Sequence, residues 1–179
     1  MKDFLIRGAT INDAKELLDI YKPYVLNTAI SFEYDVPSLD EFKTRIENTL
    51  KQYPYIVAVK DNKIIGYAYA SKFKERKAYQ YSVETSIYIK NDCRGKGIGK
   101  QLHLELEKLL KKQGILNLNA CIGHTPREHD DNLSNDSEDF HKAMGYRFVG
   151  KFNKCGYKFG RWYDMVWMEK LIGEHIDED

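Results

Sequence analysis

The chain has 179 residues, with 28 Lys and Arg against 27 Asp and Glu, and its formal net charge of +1 offers no one-sided field for nucleic acid or an acidic membrane surface. That length suits one domain, and 42% hydrophobic residues can fill one core of ordinary size. No stretch approaches the roughly 18 apolar residues of a membrane span. The opening "MKDFLIRGAT" breaks at Arg7 without a small-residue cleavage site, so it does not read as a signal peptide. Cys93, Cys121 and Cys155 are odd in number and lack CxxC spacing, the usage of a reduced cytoplasmic chain.

In chain order, "FLIRGAT" reads as a strand, and Asn12 or Asp13 can cap a helix whose Ala14, Leu17, Leu18, Tyr21 and Val25 recur at helical spacing. After the loop "NTAISFEYDVP", Ser38 and Glu41 form a capping-box pattern ahead of Leu39, Phe42, Ile46 and Leu50. "YIVAV" and "KIIGYAYA" flank Asp61-Asn62-Lys63 as a hairpin. "YSVETSIYIK" alternates from Val83 to Ile89, which places Ser82, Glu84, Ser86 and Tyr88 on one face. A glycine loop follows, then a helix through Ile98, Leu102, Leu106, Leu109 and Leu110, closed by Gly114. "ILNLNACI" is the next strand, "HTPREHDDNLSND" a polar surface loop, and "SEDFHKAM" a short helix ending at Gly145. Strands near "YRFVGKF" and "WYDMVWMEK" complete a mixed α/β chain without repeats or linkers. The expected organisation is one domain over residues 1–172 and an acidic tail, 173–179, that frays.

Three glycines and three cations between Cys93 and Gln101 surround a helix start, and that combination invites a phosphate. A nucleotide-hydrolysing P-loop is excluded, because Gly95 and Gly99 stand one residue too close and Gln101 replaces the magnesium-binding hydroxyl. A dinucleotide fingerprint fails as well, since Leu102 occupies the place of its third glycine. What remains is Arg94-Gly95-Lys96-Gly97-Ile98-Gly99, an [Arg/Gln]-x-x-Gly-x-[Gly/Ala] hexapeptide between a strand and a helix. Successive backbone N–H groups there, Lys100 included, can hold a pyrophosphate, with Lys96 and Lys100 adding charge. Taken alone, the hexapeptide also fits a tight turn bearing a solvated basic face.

With this hexapeptide in its strand-loop-helix setting, the chain resembles the GNAT superfamily of acyl-CoA-dependent N-acetyltransferases over nearly its whole length. The segments "SFEYDVP", "GYAYASKFKERKAYQYSVETSIYI", "RGKGIGKQL", "HKAMGYRFVGKF" and "GYKFGRWYDMVW" are similar to its phosphinothricin acetyltransferase branch. The resemblance implies an α/β GNAT fold, a mostly antiparallel central sheet flanked by helices with a splayed strand pair holding acyl-CoA. It implies acetyl-CoA as cosubstrate, no metal, a small-molecule amine as acceptor, a homodimer, and no nucleic-acid or membrane partner. Backbone groups of Ile87, Tyr88 and Ile89 would bind the pantetheine arm. Glu84 to Ile89 spans about 16 Å at strand rise, comparable with that arm.

Direct attack on a thioester requires an acceptor amine that has lost its proton, so a general base is needed. The resemblance assigns that role to Glu84, which by pattern alone reads as a cross-strand partner for Lys or Arg. His141, in Phe140-His141-Lys142-Ala143-Met144-Gly145-Tyr146, would share base duty or protonate the leaving thiolate. A histidine packed on a helix face is the plainer alternative. Lys74, Arg76 and Tyr79 match the branch's positions near the acceptor, where a cationic pair suits a carboxylate or phosphinate. By charge pattern they read as a solvated loop. Phe32 would be an apolar wall.

The segment from His124 to Asp136 is longer than in that branch, so its CoA-contacting asparagine corresponds to Asn135 or to Asn132. His124, His129, Asp130 and Asp131 have no metal-ligand spacing, and a flexible polar insertion is expected. Two other functions stay open: a protein or peptide N-acetyltransferase, which needs an open acidic groove, and a non-catalytic acyl-CoA sensor, whose signature would be the loss of Glu84 and His141, both of which are present.

Overall fold

The computed structural model describes residues 3–177, which divide into two compact units: residues 3–20, 37–118 and 171–177, and residues 21–36 with 119–170. The elements are β1 (Leu5–Gly8), α1 (Ala14–Asn27), α2 (Leu39–Leu50), β2 (Tyr55–Lys60), β3 (Lys63–Lys72), β4 (Ser82–Ile89), α3 (Ile98–Lys112), β5 (Asn117–His124), α4 (Asp136–Ala143), β6 (Arg147–Lys158) and β7 (Arg161–Leu171). The strands run in the order β1-β2-β3-β4-β5-β7-β6. The α/β fold with a mostly antiparallel sheet and flanking helices is the one expected.

In the first unit β1 to β4 are joined as antiparallel neighbours. Asp61 (φ 48) and Asn62 (φ 60) form the two-residue turn between β2 and β3. Both angles are positive, as the turn that matches strand twist requires, and Asn and Asp tolerate them better than most residues. The alternation of β4 is visible in burial, with Val83 and Thr85 inside. Gly66 pairs with Ile89, and a Cβ there would stand 2.6 Å from the Ile89 Cδ1 and 3.4 Å from the Leu102 Cδ1. The bare backbone therefore lets α3 settle on this face.

Helix α3 buries Ile98, Leu102, Leu106 and Leu110, as its period predicts, each contributing roughly 1.5–3 kcal/mol relative to exposure. Lys111 and Lys112 lie in its last turn, and Gly114 (φ 81) follows it. At the start of helix α2 the Ser38 hydroxyl accepts from the Glu41 N–H at 3.2 Å, the Ser38 half of the expected capping box, while the Glu41 carboxylate accepts from Arg45 at 2.6 Å. The start of α1 differs. A 3-10 turn, Ile11–Asp13, leads into it, and the Asp13 carboxylate accepts from Thr10 N–H at 2.7 Å and from both Arg7 terminal nitrogens at 2.8 Å. The salt bridge draws Asp13 back toward β1, so Thr10 occupies the capping position instead of Asn12 or Asp13.

In the second unit β6 and β7 form a hairpin turned by Phe159 (φ 52) and Gly160 (φ 71). β6 reaches beyond the predicted "YRFVGKF" to Lys158, because an irregularity between Phe152 and Gly156 interrupts its alternation. Lys154 (φ 51) sits in that irregularity and donates its N–H to the Asp164 Oδ1 at 2.8 Å. Ala29, Leu133 and Tyr163 make a buried cluster, with Ile30 and Phe32 against it.

At the end of the proposed domain Ile172 N–H donates to the Leu116 carbonyl at 2.8 Å, and in the tail His175 contacts the Asn117 side chain at 2.7 Å. The last two tail residues lie outside the described ones.

Candidate active site

The glycine loop is built as an open cradle. Gly95 (φ 73) and Gly97 (φ 77) adopt the left-handed conformation, and a Cβ on either would meet nothing within 4 Å. The glycines are therefore required by backbone angle, and the space beside them is clear. The first intrahelical bond is Gln101 N–H to the Gly97 carbonyl at 3.2 Å, so the amides of Ile98, Gly99 and Lys100 precede it at the positive end of α3. Ile98 is buried and anchors the helix, while Arg94 and Lys100 are exposed. Lys96 folds back and donates to the Asp92 carbonyl at 2.8 Å. A cleft of about 780 Å3 beside the loop is lined by Lys60, Lys63, Lys90 and Lys96 among others.

β4 leads into this cradle. Its backbone pairs with β3 through Tyr88↔Tyr67, Ile87↔Ala68 and Glu84↔Ser71. Tyr88 leans on Tyr67 at 5.3 Å between ring centroids, and Tyr67 belongs to a stack with Tyr55 and Tyr69. This packing seats Tyr88, in the middle of the Ile87 to Ile89 segment, against β3. Glu84 is half-buried on the tyrosine side of the strand, and burial raises its carboxyl above the usual range, opposed by the Lys74 charge. Lys74 lies 5.1 Å from the Phe73 ring centre, and Tyr79 meets the same ring edge-on at 5.8 Å. Lys74, Arg76 and Tyr79 are exposed, and Arg76 accepts the Tyr79 N–H through its carbonyl at 3.0 Å. The first unit thus brings together the cradle, β4, Glu84 and the Lys74 turn.

The second unit holds His141, Asn135 and Phe32. His141 is buried on α4, edge-on to Phe140 and Tyr146. Its Nδ1 lies 2.6 Å from the Ser137 carbonyl, which only accepts, so Nδ1 carries the proton and Nε2 the lone pair. Burial lowers its pKa, with the Ser137 bond opposing, and the ring is neutral at pH 7. Asn135 accepts from Thr125 N–H at 3.2 Å and donates to the Thr125 carbonyl at 3.1 Å. Its amide closes the loop at the start of α4. Asn132 likewise donates to the Asn27 carbonyl at 3.1 Å.

Phe32 lies on bare backbone: a Cβ on Gly156 would stand 2.3 Å from the ring, and one on Gly123 3.8 Å from it. Tyr163 flanks it at 6.3 Å between centroids.

The insertion expected to be flexible is tied down by Asp130. Its buried carboxylate accepts from Thr125 Oγ1 at 3.2 Å, Asn132 N–H at 3.0 Å and Tyr163 Oη at 3.3 Å, with Arg127 at 3.2 Å. His124 pairs with Glu138, and no group of three metal-ligating side chains occurs among the described residues. Sequence reasoning also passed over Lys158, a buried lysine in β6. The signal was a lysine at an inward position of an alternating strand, two residues after Gly156.

The family model for the acetyltransferase (GNAT) domain matches residues 6–167. The chain is similar to phosphinothricin N-acetyltransferase of Alcaligenes faecalis, 33% identical over 93% of this chain and 82% of the relative. It is similar to the L-methionine sulfoximine/L-methionine sulfone acetyltransferase of Pseudomonas aeruginosa at 29% identity, over 92% of each. Among solved structures it superposes on a GNAT superfamily phosphinothricin acetyltransferase from Sinorhizobium meliloti in complex with acetyl-CoA, with TM-score 0.87 and 35% identity over 96% of this chain and 89% of that one. With the cradle, the strand before it and the match over most of its length, the chain belongs to the GNAT family of acetyltransferases.

Proposed function

We propose that the protein transfers the acetyl group of acetyl-CoA to the primary amine of a small amino-acid-like acceptor of the phosphinothricin, methionine sulfoximine or methionine sulfone type. The observation that carries this reading is the half-buried Glu84 on the strand that runs into the open cradle. The names of the relatives supply the acceptor class.

In this reading the amides of Gly95 to Lys100 hold the pyrophosphate, and backbone groups of Ile87, Tyr88 and Ile89 pair with the pantetheine arm. Glu84 takes a proton from the acceptor ammonium, directly or through water. The freed amine attacks the thioester carbon and forms the C–N bond. The developing oxyanion is stabilised by a β4 amide. The intermediate then expels the CoA thiolate as the C–S bond breaks, while the bare Nε2 of His141 takes the second proton from the former amine nitrogen and passes it to the sulfur, which leaves the amide and the free thiol. Lys74 and Arg76 receive the acceptor's acidic group, with Tyr79 and Phe32 as walls. Lys96, held on Asp92, contributes charge to the phosphates at longer range. Asn135 acts through the loop it closes.

Residues 1–172 are proposed as one catalytic domain, supported by the matched span of 6–167. A homodimer is proposed on the apolar surface of the edge strand β6, where Phe148, Val149, Phe152 and Tyr157 are exposed with Trp162 beside them. Sedimentation of Phe152→Glu beside the parent chain tests it, a monomer being expected for the variant. The three free cysteines support a cytoplasmic location. No helix among the described residues is long and apolar enough to cross a membrane.

The deciding experiment is thiol release from acetyl-CoA against phosphinothricin, methionine sulfoximine and methionine sulfone, with Glu84→Gln in parallel. Turnover that the substitution abolishes is expected. Binding of acetyl-CoA without turnover of any of these acceptors would sink the acceptor class and bring peptide acceptors or a sensing role forward.

A further inference from the structure

Lys158 is 3% exposed, and its ammonium donates to three backbone carbonyls: Val25 at 2.7 Å, Thr28 at 2.8 Å and Ser31 at 2.6 Å. Val25 contributes one of the last carbonyls of α1, which lack intrahelical partners. Thr28 and Ser31 belong to the irregular segment that leads to Phe32. Three carbonyl dipoles converging on one point repel each other unless a cation occupies it. An apolar side chain would fill the same space without desolvating a charge, yet it would leave these oxygens unpaired.

The same strand carries the seat of the Phe32 ring. Gly156 and Lys158 are two apart on β6, hence on one face, and a Cβ on Gly156 would clash with Phe32 at 2.3 Å. Side-chain bonds from Thr28 Oγ1 to the Tyr24 carbonyl at 2.7 Å, and between the Tyr21 and Ser31 hydroxyls at 2.7 Å, close the segment around the ammonium. One face of β6 therefore supplies both the cation that shapes the segment and the gap that receives its aromatic ring.

We infer that Lys158 is a positioning residue for acceptor binding: its ammonium gathers the carbonyls of Val25, Thr28 and Ser31 so that Phe32 is held on Gly156 as the acceptor wall. The inference rests on the proposed role of Phe32.

The test compares Lys158→Met, Gly156→Ala and Phe32→Ala in the full chain, with methionine sulfoximine as acceptor, thermal melts to verify folding, and amide hydrogen exchange over residues 27–33. Lys158→Met is expected to raise the acceptor KM about tenfold while the acetyl-CoA KM stays within about twofold. Exchange over 27–33 should accelerate. Gly156→Ala, which leaves the ammonium in place, is expected to give the same KM split. Should the methionine variant not fold, Lys158→Arg keeps the charge in a planar fork that cannot serve three converging carbonyls, and a rise of about threefold in acceptor KM alone is expected. Equal changes in both KM values, or unchanged exchange over 27–33, would overturn the tether. An unchanged acceptor KM in Phe32→Ala, with exchange still accelerated in Lys158→Met, would instead overturn the wall and leave the tether purely structural.

Discussion

The carboxylate of Glu84 and the ammonium of Lys74 act on the same proton in opposite directions: burial raises the Glu84 pKa and the Lys74 charge draws it down. For a general base, protonation stops catalysis, so kcat/KM should fall on the acid side at a pH above that of an ordinary carboxylate. Lys74→Met is expected to move this acid limb to still higher pH, and Glu84→Gln to abolish it. A pH profile unchanged by Lys74→Met would detach the turn from the base.

Glu84 also carries a cost in stability. Its folded pKa is raised, so the ionised form is disfavoured by folding. That penalty is absent below the unfolded carboxylate pKa and complete above the folded one. Glu84→Gln should therefore raise the melting temperature at pH 7 to 8 while the rate is lost, and the gain should vanish at low pH. Calorimetry at the two pH values checks the sign.

His141 has the opposite signature. Burial lowers its pKa in the fold, so the stability it confers is present above the ordinary histidine pKa and is lost as pH falls through the folded value. His141→Phe should flatten the decline of melting temperature between pH 7 and 5. The same substitution is expected to lower kcat by about a hundredfold, the usual scale for a positioned acid or base.

The cradle makes a separable prediction. Gly97→Ala introduces a Cβ into open space but at φ 77, a strain of about 1–2 kcal/mol in the turn itself. Acetyl-CoA affinity should weaken about tenfold by titration calorimetry, with acceptor KM unaltered. Equal weakening for both ligands would mean that the loop serves the fold and not the phosphates.

At Asp130, burial pushes the carboxyl up, but hydrogen bonds from Asn132, Thr125 and Tyr163 prevail and hold its pKa below the usual value. The stability it provides is present above the unfolded carboxylate pKa and is lost as pH falls through the lowered one. Asp130→Ala is expected to cost about 2 kcal/mol or more in urea unfolding and to expose residues 124–136 to protease.

Most of the fold was legible because its elements announce themselves locally: the period of α3, the alternation of β4, and the Asp61-Asn62 turn each follow from a few neighbouring residues. The cradle was legible for the same reason, its glycines standing where positive φ is needed. What escaped notice depends on distant partners. Asp130 looked like one acid in a polar run, and only the fold brings Thr125, Asn132 and Tyr163 to it. Lys158 drew no reading from the sequence, because only the fold places three carbonyls around it. The start of α1 was misjudged because Arg7, six residues earlier, competes for Asp13.

Hydrogen bonds link Asn132 to Asp130, Asp130 to Thr125 and Thr125 to Asn135, and the backbone from Asn132 to Asn135 completes a ring within the insertion itself. A loop that carries its own fastenings behaves as a cassette: its ends are held at Thr125 and Asn135, and its length adds little conformational entropy once the ring has formed. Exposed sequence between the fastenings, such as Glu128 and His129, is thereby released from structural duty. Trimming inside the ring would undo it as a unit, whereas rewriting those free positions would leave the strand before it and the helix after it in place.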